Sequence, residues 1–221
     1  MIPVRALFER LGVRADSILH VGAHEAEEYE EYKIFGFRSV TWVEMNARKS
    51  AELIGRFRGD ESQRVINAAA WDKSGETIRI HNASNVQSSS LLAPHLHLQM
   101  HPEVSFDMGE EVVTTRLDEI LDTNTSYDFV NMDIQGAELR ALAGMGLFLQ
   151  QASWVYLEVN TEELYRDCAL LPDVDKFLNQ QGFIRIATKI LPQAWGDAIY
   201  LNEKNFSPDR VIELRQTGQF I

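Results

Sequence analysis

Residues 17–44 read SILHVGAHEAEEYEEYKIFGFRSVTWVE, and this stretch decides the fold. It opens on a short apolar run, S-I-L-H-V, that turns at Gly22 and Ala23. A helical pattern follows over about 25–35, closed by Gly36, and a second apolar run, S-V-T-W-V-E, fills 39–44. Strand, helix and strand in that order predict a parallel pair covered by a helix. Gly22 lets the backbone turn sharply and come close to a ligand. The turn lacks the G-x-G-x-x-G pattern of a pyrophosphate site, and Glu25, Glu27 and Glu28 make it acidic. Such company suits a ligand carrying sulfonium and ammonium cations better than a pyrophosphate. An ordinary β–α turn with an acidic helix start would also suit the helix dipole. Glu44 adds weight, because it ends the second strand 22 positions after Gly22. A carboxylate at that spacing can accept both hydroxyls of a ribose.

The alternation continues outward. Strand patterns recur over 64–69, 77–81, 112–115, 127–132 and 154–159, with a terminal pair at 183–187 and 197–201. Between them lie helical patterns from Asn46, a natural cap, toward 57, and over 136–145 and 173–181. The expected fold is therefore α/β, a mainly parallel sheet with helices on both faces. No repeat or composition break divides the chain, so 1–221 is expected to be one domain, with a helical N-terminal extension at 1–15. Residues 82–109 are irregular and hold Asn85, Ser88 to Ser90 and three histidines. A connection that long is expected to be a lid or an acceptor-binding insertion.

Bulk properties narrow the function. The 21 Lys+Arg against 33 Asp+Glu give a net charge of -12, a surface that repels phosphate backbones, so no nucleic-acid partner is expected. The lone Cys168 excludes a disulfide within the chain and a Cys-rich zinc site. Its apolar neighbours mark it as a buried structural thiol. The start has no signal-peptide pattern and no apolar run is long enough to span a bilayer, so a cytoplasmic protein is expected. His97 and His101 stand i, i+4 but between Pro94 and Pro102, without an acid in ideal spacing. They are read as incidental histidines of a lid, and no metal is expected.

In doubly wound sheets ligands sit beyond the carboxyl ends of the strands. That rule collects 20–26, Glu44, 67–72, 133–138 and Glu158. In N-M-D-I-Q-G-A-E-L, residues 131–139, Asp133 ends the fourth main strand, where the sheet order should switch sides. A carboxylate there can serve as base, cation ligand or substrate anchor. Helix capping explains one of these acids, but less easily the whole polar group.

Six segments then stand together: I-L-H-V-G-A-H-E-A, V-T-W-V-E-M-N, N-A-A-A-W-D-K-S-G, S-S-S-L-L, T-T-R-L-D-E-I-L and F-V-N-M-D-I-Q-G-A-E-L-R-A-L-A-G-M. Through them the chain resembles the FkbM family of methyltransferases over about 17–201. The resemblance implies a seven-stranded sheet of order 3-2-1-4-5-7-6 with the seventh strand antiparallel. It also implies S-adenosylmethionine as donor, leaving S-adenosylhomocysteine, and O-methylation of a sugar, polyketide or related small-molecule hydroxyl. By position Gly22, Ala23 and His24 would form the cofactor loop, Glu44 would hold the ribose, and Asn67 and Ala68 would border the adenine. His20, Met45 and Ala69 count with the cofactor residues. Asp133 and Glu138 would face the reaction centre, with Gln135, Ser89 and His81 beside the acceptor. Three positions depart from the family pattern: His20 replaces a common acid, Ala26 a second glycine, and Asn131 a usual lysine.

Methyl transfer to a hydroxyl needs a base. Asp133 or His24 is expected in that role, with Glu158 and then His81 behind them. Two other functions share parts of this pattern: a non-catalytic cofactor-binding scaffold, and an NAD-dependent sugar oxidoreductase, which would need the glycine-rich turn that is missing here.

Overall fold

The computed structural model describes residues 2–219. Seven strands form the main sheet: β1 (Ser17–Val21), β2 (Ser39–Glu44), β3 (Gln63–Asn67), β7 (Phe129–Met132), β8 (Trp154–Asn160), β9 (Phe183–Ile190) and β10 (Trp195–Asn202). A second, three-stranded sheet holds β4 (Ala69–Ala70), β5 (Thr77–Ala83) and β6 (Phe106–Thr115). The main sheet runs β3-β2-β1-β7-β8-β10-β9. Its own seven strands, counted in chain order, therefore lie 3-2-1-4-5-7-6, and the last is antiparallel to both neighbours. The chain leaves β1 toward β2 on one side and returns to β7 on the other, so a crevice opens between β1 and β7 at their carboxyl ends.

Every residue of β1, β7 and β8 is buried, the reason their sequences read as near-unbroken apolar runs. Side chains alternate between two cores. Ile18, Trp42, Phe129 and Tyr156 pack with α1 (Val4–Leu11) and α9 (Pro208–Gly218). Leu19, Val43, Val130 and Leu157 pack with α6 (Glu138–Ala143), α7 (Leu147–Gln151) and α8 (Leu171–Gln180). Near the N-terminus α1 buries Leu7 and Leu11 completely. No helix of the described residues is long and apolar enough to cross a membrane.

Several boundaries differ from the sequence reading. The helix expected from about 25 begins only at α2 (Tyr29–Ile34). His24 at φ 43° and Ala26 at φ 54° take left-handed backbone, which no α-helix continues through. The family's second glycine falls on Ala26, where that conformation costs a residue with a Cβ. The strand expected over 64–69 is two pieces. The Asn67 side chain donates to the carbonyls of Glu44 and Met45 at 2.8 and 3.1 Å, and Ala69–Ala70 leaves to pair with β6. β6 also starts at Phe106, so the irregular segment shrinks to about 84–105 and contains α4 (His97–Met100). Asn46 caps α3 (Ala47–Arg56) as read, accepting from the Lys49 N–H at 3.0 Å. The remaining short helix is α5 (Leu117–Ile120). Helices α7 and α9 were not read from the sequence, although Ser207 followed by Pro208 is an N-terminal signature of α9.

Candidate active site

The crevice between β1 and β7 opens into a cleft lined by the first loop, the end of β2 and the loop after β7. Gly22 sits at its floor with φ 89°, and a Cβ there would lie 1.9 Å from the Asp133 carbonyl oxygen. Only glycine fits. The N–H groups of Gly22 and Ala23 both reach the Val43 carbonyl, at 2.9 and 3.1 Å, which folds the loop back over β2. Glu44 receives that loop. One of its carboxylate oxygens accepts from the His24 N–H and the other from the Asn46 N–H, each at 2.8 Å. Burial raises the affinity of this carboxyl for a proton, and the two N–H bonds oppose that. Each oxygen still has a lone pair beyond these bonds, and Glu44 lines the cleft.

Among the residues expected at the site, Gly22, His24, Glu44, Met45, Ala68, Ser89, Asp133 and Gln135 line the cleft. The His24 ring lies 2.6 Å from Glu27. Ala23, Asn67 and Ala69 do not line it: Ala23 is buried behind the loop, Asn67 braces the turn after β3, and Ala69 belongs to the second sheet's core. His81 is also absent, because Ile80 and Asn82 on the other face of β5 are the lining residues. Its backbone pairs with Ser90. Sequence reasoning did not single out Asn46, Lys49, Val86, Gln87 or Leu91, which close the cleft. The last three fall in the segment flagged as irregular, the one available signal.

His20 is 2% exposed and lies inside the core. It is the register partner of Asn131 on β7. The Tyr32 hydroxyl stands 3.0 Å from His20 Nδ1 and accepts from the Asn131 amide at 2.8 Å. With its oxygen accepting from Asn131, the hydroxyl donates to Nδ1, which leaves the proton of a neutral imidazole on Nε2. Burial lowers the affinity of this ring for a second proton. The two positions where the resemblance implies a common acid and a usual lysine thus meet in register here as a neutral, hydrogen-bonded His–Asn pair.

Two residues further along β7 and β8 the same face becomes acidic. One oxygen each of Asp133, Glu138 and Glu158 lie within 4.8 Å of one another, the one group among the described residues spaced to hold a metal. The Gln135 amide nitrogen already bridges two of these acids, 2.7 Å from Asp133 and 3.0 Å from Glu158. The third, Glu138, accepts from the N–H groups of Ile134 and Gly136 at 2.9 and 3.2 Å, and so holds the loop while lying behind the cleft. Glu158 is likewise 7% exposed and does not line it. Loss of water is the first cause of a raised pKa in all three carboxyls. It raises Asp133 to about 6, against the Gln135 hydrogen bond and with repulsion from Asp197, Glu28 and Glu27. It raises Glu138 to about 7, and Glu158 well above the usual range with Asp133 and Glu138 adding repulsion. Asp133 still opens onto the cleft. His97 packs on the Phe106 and Tyr165 rings rather than joining a metal cluster, and burial pushes the Cys168 thiol up.

Comparison with known proteins bears on the family and the fold. The chain is 36% identical over 101 residues to the 2-O-methyltransferase NoeI of Sinorhizobium fredii. That match spans 45% of this chain and 36% of the relative's length. A candidate tRNA methyltransferase from Streptococcus pneumoniae superposes with a TM-score of 0.54 at 14% identity, over 96% of this chain and 83% of that one. The ribosomal protein L11 methylase of Lactobacillus delbrueckii subsp. bulgaricus gives 0.50 at 11% identity, over 88% and 74%. At such identities the two structures speak for the fold alone. The methyltransferase FkbM domain model matches residues 20–185, three quarters of the chain, and the chain belongs to the FkbM methyltransferase family.

Proposed function

We propose that this protein is an S-adenosylmethionine-dependent O-methyltransferase acting on a hydroxyl of a small molecule, a sugar or a related natural product. Glu44 carries this proposal. It is a buried carboxylate at the end of β2, held by two loop N–H groups and lining the cleft beside the Gly22 turn. That arrangement fits the ribose of a nucleoside, and Met45 and Ala68 beside it offer apolar walls to a base. The acidic surroundings of the cleft complement a cationic donor. When bound, the cofactor supplies a methyl group on a sulfonium centre. O-transfer is supported by the relative named as a 2-O-methyltransferase.

The chain's own part is to hold the acceptor oxygen in line and take its proton. Asp133 stands at the cleft end of β7, open to the cleft and more basic than an ordinary carboxylate. At neutral pH it is largely ionised and a stronger base than a solvated one. His24, oriented by Glu27, is the second group in reach of the same space. Gln135 and Ser89, the latter on the 84–105 segment, line the cleft and offer polar groups to the acceptor.

Calorimetric titration with S-adenosylhomocysteine, for the wild type and for Glu44→Ala, tests the proposal. The expected result is micromolar binding that the substitution weakens at least tenfold, about 1.4 kcal/mol. A wild type that does not bind sinks the cofactor assignment. Binding without transfer to any member of a hydroxyl panel favours a scaffold.

A further inference from the structure

The bridge from Asp133 through Gln135 to Glu158 is itself held from behind. The Gln135 amide oxygen accepts from the Tyr165 hydroxyl at 2.8 Å. The amide therefore cannot turn over without setting oxygen against carboxylate oxygen. Tyr165 is 1% exposed, and its ring lies 3.3 Å from where a Cβ on Gly136 would stand. The same hydroxyl lies 2.9 Å from the carbonyl oxygen of Ser88, on the segment that closes the cleft. From that segment Ser90 also donates to the Gln135 carbonyl at 2.8 Å. Gln135 itself holds a left-handed φ of 55° between these contacts. Burial keeps the Tyr165 phenol protonated. One proton thus faces two acceptors, and it can serve only one of them fully.

We propose that Tyr165 is a positioning residue, whose hydroxyl, shared between the Gln135 amide and the Ser88 carbonyl, couples the seating of the lid to the hold of Gln135 on the Asp133–Glu158 pair. Donation to the amide oxygen polarises its N–H groups and strengthens both bonds to the carboxylates. Carboxylates held that way release a proton more readily. When the lid draws the hydroxyl toward Ser88, the hold loosens and the pair binds a proton more tightly, as a base must. Glu138 on α6, Asp197 on β10, Tyr156 on β8, and Glu27 and Glu28 before α2 also face the pair. They act alike in wild type and variants. The inference rests on Asp133 as base for its catalytic meaning, but its test needs neither cofactor nor acceptor.

The test is a carboxyl 13C NMR titration of the full chain as wild type, Tyr165→Phe and Gln135→Leu, with hydrogen exchange read at the amides of residues 88–92. Tyr165→Phe keeps the ring, and circular dichroism checks that both variants fold. The expected result is a proton affinity of the pair raised roughly three- to tenfold in Tyr165→Phe, and at least as much in Gln135→Leu. Lid amides should exchange several-fold faster in Tyr165→Phe. An unchanged carboxyl titration in Tyr165→Phe overturns the coupling, whether or not Gln135→Leu shifts it. Unchanged lid exchange overturns it equally. Failure of S-adenosylhomocysteine to bind would remove the cofactor assignment and leave these titrations as they are.

Discussion

Two polar clusters occupy one face of the same central strands, and they do opposite things. In mid-strand His20 and Asn131, with Tyr32 of α2 packed on them, are sealed in the core, neutral, and joined by hydrogen bonds. Two residues further on, Asp133 and Glu158 crowd together as acids at the edge of the cleft, bridged by one amide. A buried polar group costs little when it is neutral and fully partnered. Asp133, open to the cleft yet crowded by other acids, and Glu158, buried beside it, instead hold protons more tightly than ordinary carboxyls, which is the property a base requires. Position along the strand separates structure from chemistry here, because only the strand end meets the crevice.

The largest expected effect breaks the acidic cluster. Asp133→Asn keeps the shape and removes the base, so turnover should fall roughly 10²- to 10⁴-fold. Affinity for S-adenosylhomocysteine should stay within about threefold. Methyl-transfer assays beside calorimetry check both, and if His24→Ala falls instead, the proton goes to His24. Next comes the neutral cluster. Asn131→Lys buries an ammonium against a neutral imidazole and should cost about 3–5 kcal/mol in urea unfolding. Adding His20→Asp to the same chain should recover most of that loss. If it does not, the two positions do not act as a pair.

A milder change sharpens the same contrast. Tyr32→Phe strands His20 Nδ1 and the Asn131 amide without their shared hydroxyl, at about 1–3 kcal/mol of stability and without changing cofactor affinity. The smallest effect is read from pH. Folding raises Glu138 from an ordinary value near about 4.3 to about 7. The folded protein therefore holds a proton that the unfolded chain releases, and this contribution, present at low pH, is lost as pH rises between those values. Glu138→Gln keeps an oxygen for the Ile134 and Gly136 N–H groups and should flatten the fall in melting temperature from pH 5 to 7.5, a difference on the order of 1 kcal/mol. An equally steep slope in the variant would place the titrating group elsewhere.

The sheet was legible because its strands carry their own evidence. Runs such as S-I-L-H-V and F-V-N-M must be buried on both faces, and their order with the intervening helices leaves few parallel topologies. Gly22 and Glu44 were legible for a related reason, since a tight turn and a strand-end acid are local demands. The start of α2 was not. Residues from about 25 read as helix by pattern, yet the His24 N–H reaches Glu44 and the left-handed backbone at Ala26 keeps the loop out of helical conformation. Nor could the sequence show that Asn67 would turn the chain out of the sheet, since its partners are backbone carbonyls of another strand.

The sequence by itself determined the fold class, through apolar periodicity and turn residues, and the family, through the resemblance its six motif segments carry, all of them local in the chain. Only the tertiary structure decided which polar residues meet. It set His20 against Asn131 across 111 positions, gathered Asp133, Gln135 and Glu158 around one amide, and brought Tyr165 behind them. It also removed Ala23, Asn67, Ala69 and His81 from the cleft. Whether a carboxyl becomes a base, a clamp or a core partner depends on burial and on neighbours distant in sequence, and those exist only once the sheet has closed.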